Sequence, residues 1–456
     1  MSSTSNSRRG IGLMRLGGYG AAGSANALGH TLVPMLLLYF LTEYVHLEPW
    51  LAGIILAAPK FWDVLVDMPI GRYSDQLALR AGGRLRVCIW SGLALMVLLP
   101  LTFFHPPLTS KPLLVAYYVL VQILQATCYT VSGVTFLALA GDLAADSNQR
   151  NKLLTTGNLG AALTAIALVV CVPSLVRLGG GGERGYLSMT LVVVLAMAFM
   201  YSWFYSAVRN TPVQAAALSQ SSAEMSLRDG IAAVLRHRAF VVLVIVIIAL
   251  GTAGGCMNSL MAYENQYLLG RRAEDLFLLA GPVLIGSLLG LPLAVPVLRR
   301  LGDNGTLRIG FLVTVAAFIG YWAGLASGLI PVVMVAGAIY GIICSVAGVA
   351  LTAAVLDTVK SAKGGPSLGL YLGMFMSAQK LGMSLGGVVS GGLLSLIGYQ
   401  AGSPATVELH HRIAALGLLG PLLPLLIACV AIWMFGVYSE PRLTDNNPAD
   451  SCAETF

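Results

Sequence analysis

Apolar residues run along this chain in stretches of about 20, each long enough to cross the hydrocarbon of a bilayer as a helix. Twelve such stretches are predicted, at roughly 18–44, 51–71, 87–104, 113–140, 155–176, 187–208, 239–268, 277–298, 307–327, 330–356, 367–397 and 414–437. Several exceed what a membrane needs and contain Gly or Pro, which predicts tilted or broken helices. The longest polar connection, 209–238, falls between the sixth and seventh stretches. The expected organisation is therefore a six-helix bundle over 1–208, a linker over 209–238, a second six-helix bundle over 239–440 and a tail over 441–456. Within the linker, Met225, Leu227, Ile231, Val234 and Leu235 are spaced for a short amphipathic helix, read as a structural strap.

Composition agrees with this pattern. Of 456 residues 57% are apolar and 10% charged, with mean hydropathy +0.80, which no soluble domain matches. Lys and Arg fall unevenly among alternate loops and tails: 19 on one side, from Arg8 to Arg442, and only Lys111, Arg177, Arg184, Arg271, Arg272 and Arg412 on the other. That bias predicts both termini in the cytoplasm, as in a multi-pass protein of a bacterial inner membrane. The net charge of +7 is then a topology signal, and no nucleic-acid partner is implied. Seven cysteines show no CxxC and no His/Cys cluster, so they read as apolar packing residues. The N-terminus lacks a signal-peptide pattern and is expected to stay attached and loosely ordered. No Walker loop, dinucleotide fingerprint, HExxH or GxSxG occurs, so neither ATP-driven pumping nor a standard hydrolase is supported, and no cofactor is expected. Gly179–Gly182 reads as a flexible outer loop.

Charge inside the membrane points to the chemistry. The second stretch contains Lys60-Phe-Trp-Asp63-Val-Leu-Val-Asp67-Met-Pro-Ile-Gly71. At 100° per residue, Lys60, Asp63 and Asp67 lie within about 60° of one another on a helical wheel. Intramembrane charges cost at least a few kcal/mol each and line ion or proton pathways. An ion-paired structural cluster is the plainer alternative, but one lysine does not neutralise two aspartates. The surplus carboxylate needs a cation or a proton. The halves also echo each other: Met68-Pro-Ile-Gly71-Arg72 with Asp75 and Gly83-Arg84 approximates a stretched major facilitator loop, and Pro296-Val-Leu-Arg299-Arg300 with Asp303 and Arg308 answers it. Such pseudo-repeats build rocking-bundle transporters with a midplane site.

At Trp62-Asp63, Asp67, Pro69 and Gly71 the chain resembles the glycoside-pentoside-hexuronide:cation symporters. The likeness continues through Gly18-Tyr19-Gly20, Tyr39-Phe-Leu-Thr42-Glu43, Tyr129-Thr130, Asp142, Asp146, Arg150 and Lys380-Leu-Gly382. The resemblance implies an all-α membrane protein of the major facilitator fold, with 12 transmembrane helices in two six-helix bundles. It also implies a cation site at Asp63, Asp67 and Thr130 for Na+ or H+, with Lys380 close by and Lys60 as a second coupling charge. Val66 stands where sodium-using sugar members often have Asn, which removes one neutral oxygen ligand and leaves Na+ and H+ evenly placed.

At the sugar site the chain departs from galactoside-transporting members. Ala27, Gly133, Leu137 and Asn158 replace their polar or stacking anchors, so the pocket is expected to be mostly apolar and the solute not a galactoside. Replacement contacts are sought in His30, on the face of Ala27; in Glu264, placed at the outer mouth beside Asn265 and Gln266; and in Gln379, near Tyr371, Met374 and Lys380. Each has a plainer reading, interfacial for Glu264, bundle hydrogen bonding for His30 and helix packing for Asn158. The expected function is symport of a small organic solute by alternating access, by a monomer whose other partners are membrane lipids. A proton-driven exporter of an amphipathic compound and a lysolipid transporter or flipping protein are the alternatives.

Overall fold

The computed structural model describes residues 12–78, 83–144, 147–209, 238–273, 275–361, 368–400, 402–403 and 406–435. The 225–235 strap, the N-terminal 1–11, the tail, Asp146 and Cys452 lie outside the described residues, as do the side chains of Asp67 and Tyr371. The first half comprises α1 (Leu13–Glu43), α2 (Pro49–Ala78), α3 (Gly83–Thr102), α4 (Lys111–Leu143), α5 (Ser147–Leu178) and α6 (Gly182–Val208). The second half begins with α7 (Arg238–Tyr267) and ends with α10 (Ile330–Ser361), α11 (Leu368–Leu396) and α12 (Val407–Phe435). Between them a 50-residue helix, Phe277–Ala326, is broken at Gly302, whose φ of 68° leaves the helical region. Its limbs, 277–301 and 303–326, are α8 and α9. Two separate stretches were expected here. The helix continues up to Gly302 on both sides because that one residue, lacking a Cβ, absorbs the reversal.

Ten of these helices are long and apolar enough to cross a membrane over their described residues. The other two, α2 and α11, carry Asp63 and Lys380. Inside hydrocarbon a backbone must satisfy its own hydrogen bonds, so each apolar run becomes a helix. Since lipid offers no hydrophobic drive between helices, small residues decide which ones pack closely. A Cβ at Gly23 of α1 would run into the carbonyl of Gly157 on α5, and one at Gly160 into that of Gly20. The same close approach joins Gly251 and Gly255 of α7 to Gly382 and Gly386 of α11, and Gly286 of α8 to Ala338 of α10.

The halves meet through α2 with α11, α1 with α7, α5 with the broken helix Phe277–Ala326 and, more lightly, α1 with α11. Hydrogen bonds across this seam concentrate where α1 ends. Thr42 and Tyr263 hydroxyls lie 2.6 Å apart, the Tyr39 hydroxyl donates to Gln266 Oε1 at 2.5 Å, and the Trp50 amide donates to Ser395 Oγ at 3.0 Å. Glu43 accepts from the Tyr399 hydroxyl and from the Gly402 amide at 3.1 Å. Burial, reinforced by Glu43, pushes the Tyr399 hydroxyl above the ordinary tyrosine range, so it stays a donor to that carboxylate. Among the described residues, α4 and α10 make no helix contact with the opposite half. The molecule is therefore shut at the face where α1 ends and parted toward the face where α1 begins.

Candidate functional site

Asp63 sits at the middle of α2 and is 1% exposed. The Thr130 hydroxyl of α4 donates to its Oδ1 at 3.4 Å. Its Oδ2 lies 3.6 Å from Lys60 Nζ, one turn earlier on the same helix, and 3.8 Å from Lys380 Nζ of α11. Four residues singled out in the sequence thus converge, and the Lys380 contact ties the two halves together at one buried carboxylate. The Trp62 indole N–H donates to Thr127 Oγ1 at 2.8 Å, fixing α2 against α4 on the neighbouring turn. Asp67 is placed one turn beyond Asp63 in α2 by its helical register.

Beside this cluster a cavity of about 70 Å³ opens between the halves, room for several waters. Its walls come from α1 (His30, Val33, Pro34), α2 (Leu56, Pro59, Lys60), α4 (Gln122, Gln125, Ala126, Tyr129), α7 (Gly255, Ser259) and α11 (Met383, Ser384, Gly387). Apolar residues form the larger part, as expected, but the polar share is greater than the lost sugar anchors suggested. His30 is stacked on Tyr129, with ring centroids 4.4 Å apart and 12° between planes, so its neighbour is an aromatic face. The Gln125 side chain donates to the Gly29 carbonyl at 3.3 Å and accepts from Thr102 at 2.7 Å, which orients it across the α1–α4 seam. Ser384 Oγ donates to the Ala57 carbonyl at 3.1 Å, across the halves.

The tentative solute residues divide. Gly133 and Leu137 follow Tyr129 at steps of four on α4, beyond the residues that line the cavity; a Cβ at Gly133 would meet open space, and Leu137 is 57% exposed. Ala27 is half-buried one turn before His30. Asn158 is exposed on α5 beside Gly157 and, like Gly133 and Leu137, does not line the cavity. Gln379 is likewise exposed and does not line this cavity; its backbone carbonyl packs against Gly251 of α7. Glu264 is not at an outer mouth. It is buried within the second bundle, where its carboxylate fills the space a side chain at Gly417 of α12 would need. The tight α7–α12 approach at that glycine draws the helix end inward, which the apolar pattern alone did not indicate.

Gln122, Gln125 and Ser384 were not singled out from the sequence. The first two were legible in principle, because Gln122, Gln125, Ala126 and Tyr129 repeat at helical spacing on the face that leads to Gly133. Ser384 lies one turn beyond Lys380 in the run that carries the family resemblance, which was its signal. Arg84 and Asp142, noted only as parts of loops, form a 2.7 Å ion pair between the start of α3 and the end of α4. Among the described residues, no three His, Cys, Asp or Glu side chains gather as a metal cluster. The described oxygens facing a cation at Asp63 are its carboxylate and the Thr130 hydroxyl.

Comparison with known proteins fits this arrangement. A family model described as MFS/sugar transport protein matches residues 18–440. The glucuronide carrier protein homolog of Escherichia coli (strain K12) is 24% identical over 424 residues, covering 92% of this chain and 91% of that protein. The isoprimeverose transporter of Lactiplantibacillus pentosus is 20% identical, covering 93% and 89%. Among solved structures, a nucleoside transporter superposes with TM-score 0.65 at 15% identity, covering 94% of this chain and all of that one. A D-xylose-proton symporter superposes with TM-score 0.61 at 14% identity, covering 93% and 97%. These structures share the fold, and the two sequence relatives are matched over about nine tenths of their own length. The protein is an integral multi-pass secondary transporter, and the chain belongs to the glycoside-pentoside-hexuronide:cation symporter family of the major facilitator superfamily.

Proposed function

We propose that this protein is a symporter that couples Na+ or H+ to the uptake of a small sugar-derived solute other than a galactoside, with both termini in the cytoplasm. The observation that carries the reading is Asp63, buried between the Thr130 hydroxyl and the ammonium groups of Lys60 and Lys380. A carboxylate held this way can exchange a lysine for a cation. Lys380 occupies Asp63 in the state seen here, and an arriving cation displaces it, which loosens the link between α2 and α11. Because that link crosses the halves, occupancy of the site biases the rocking equilibrium. The solute then lies in the adjoining cavity, between His30 stacked on Tyr129 and the amides of Gln122 and Gln125. Such fixed hydrogen-bond donors and acceptors suit a hydroxylated molecule. Relatives named for a glucuronide and for isoprimeverose support a glycoside or uronide.

The test is uptake into proteoliposomes under an imposed inward Na+ or H+ gradient, with a panel of glucuronides, xylosides and melibiose. The expected result is uphill accumulation of one non-galactoside with one of the two gradients, and its loss in Asp63→Asn. Undiminished uphill transport by Asp63→Asn would overturn the reading. Gradient-independent lipid movement would point instead to a flipping protein.

A further inference from the structure

A second cavity, of about 690 Å³, lies at the shut face, over the contact between α1 and α7. Its walls come from both halves. Tyr39 lies one turn before the end of α1, Arg177 stands in the last turn of α5, Gln266 in the last turn of α7, and Arg271 and Arg272 follow that helix. Among the described residues no carboxylate lines it. The Arg177 guanidinium donates to the neutral Ser174 hydroxyl at 3.1 Å, and among the described residues none of the three arginines has a carboxylate within ion-pair distance.

The loop that carries two of these arginines is held in place. Asn265, fully buried, donates from its side chain to the Arg272 carbonyl at 2.5 Å and to the Asp275 carbonyl at 3.0 Å, and its own carbonyl accepts the Arg271 amide at 3.0 Å. On the opposite wall the amides of Gly180 and Gly181 are spent on α5 carbonyls, which leaves the guanidinium groups and the Gly182 amide at the start of α6 as donors there. Three like charges around one open crevice repel one another until an anion joins them. Guanidinium forks match the paired oxygens of carboxylates and phosphates.

We propose that this crevice is an oxyanion site that takes a carboxylate or phosphate group between Arg177 of the first half and Arg271 and Arg272 of the second, and that its occupancy holds this face shut. The conformational part rests on the alternating-access reading; the binding part does not. The walls meet through the Tyr39–Gln266 hydrogen bond, so opening this face would carry Arg177 away from the other two. An anion bridging them therefore favours the state described here. The chemistry would suit a free small anion or the headgroup of an anionic lipid.

Thermal unfolding of the full-length protein separates the sources. In neutral detergent at constant ionic strength, inorganic phosphate replaces chloride. In nanodiscs, phosphatidylglycerol replaces phosphatidylcholine. The wild type is compared with Arg177→Gln, with Arg271→Gln/Arg272→Gln and, as a charge-keeping control, with Arg271→Lys/Arg272→Lys. A saturable rise in Tm with phosphate, weakened about tenfold or more in half-saturating concentration by either Gln variant and less by the Lys variant, assigns the site to a free anion. The same arginine-dependent rise with phosphatidylglycerol alone assigns it to a lipid headgroup. Spin labels placed across the shut face should report a larger closed population when the anion is present. Equal effects in wild type and Gln variants in both arms, or no change in the label distances, would overturn the proposal; the transport test at Asp63 is unaffected by either outcome.

Discussion

At the scale of single residues the protein turns on Asp63 and the groups that touch it. The Thr130 bond, at 3.4 Å, is long for a hydroxyl donor and stabilises by about 1 kcal/mol at most. Thr130→Ala is therefore expected to leave thermal stability nearly unchanged. It should raise the cation concentration for half-maximal uptake, while Thr130→Ser stays close to the wild type; uptake titrated against the driving cation checks this. Tyr129 acts through its face. The stack on His30 is worth about 0.5–1.5 kcal/mol. Tyr129→Ala should then raise the solute KM up to roughly tenfold, with Tyr129→Phe much nearer to wild type. The sequence exposed Asp63, Thr130, Lys60 and Lys380 because charge and a family pattern mark them at a depth where polarity is costly. Glu264 was placed wrongly for a plain reason. A polar residue in an apolar helix signals that it needs a partner or water, but not on which side of the helix it finds them.

Between helices, glycine decides distance. Gly382 and Gly386 of α11 abut Gly251 and Gly255 of α7 within the second half, whereas Gly387 and Gly391 of the same helix abut Leu56 and Gly53 of α2 across the halves. One helix thus carries a fixed seam and a separable seam on neighbouring faces, with Gly386 and Gly387 side by side in the chain. Substituting the fixed seam, as in Gly386→Val, forces backbone apart and should destabilise by about 1–3 kcal/mol, seen as a lowered Tm in detergent. Substituting the separable seam, as in Gly391→Val, has a second way out, because the halves can part. That variant should keep most of its stability and instead shift the population toward opening of the face where α1 ends, read as a longer distance between labels on α2 and α11. A Gly391→Val protein with unchanged distances and a large loss of stability would refute the distinction between the seams.

For the whole molecule, the parted face should admit water to the α4 stripe that runs from Tyr129 past Gly133 to Leu137. A cysteine placed at Leu137, in a background freed of the partly exposed native thiols such as Cys128 and Cys171, is expected to react with a water-soluble maleimide. Solute and cation together should slow that reaction. With the cytoplasmic termini predicted from the cationic bias, labelling should proceed from the cytoplasmic side of oriented vesicles; labelling only from the opposite side would reverse the topology.

The sequence by itself determined that the chain spans a membrane, how many helices it has, and which charges lie in their midst. Each of these follows from one-dimensional facts: about 20 apolar residues match the hydrocarbon thickness, and a carboxylate within such a run cannot be incidental. Even the break at Gly302 is marked there by a short glycine-bearing polar stretch. Only the tertiary structure decided which face is shut, that Lys380 reaches Asp63 across the halves, that Glu264 turns into the second bundle, and that three arginines from distant loops surround one crevice. Those outcomes depend on the rotation of each helix about its axis and on how closely two helices approach. Both are set by small residues on partners far away in the chain, such as Gly417 for Glu264 and Gly157 for α1, and a linear hydropathy pattern contains neither.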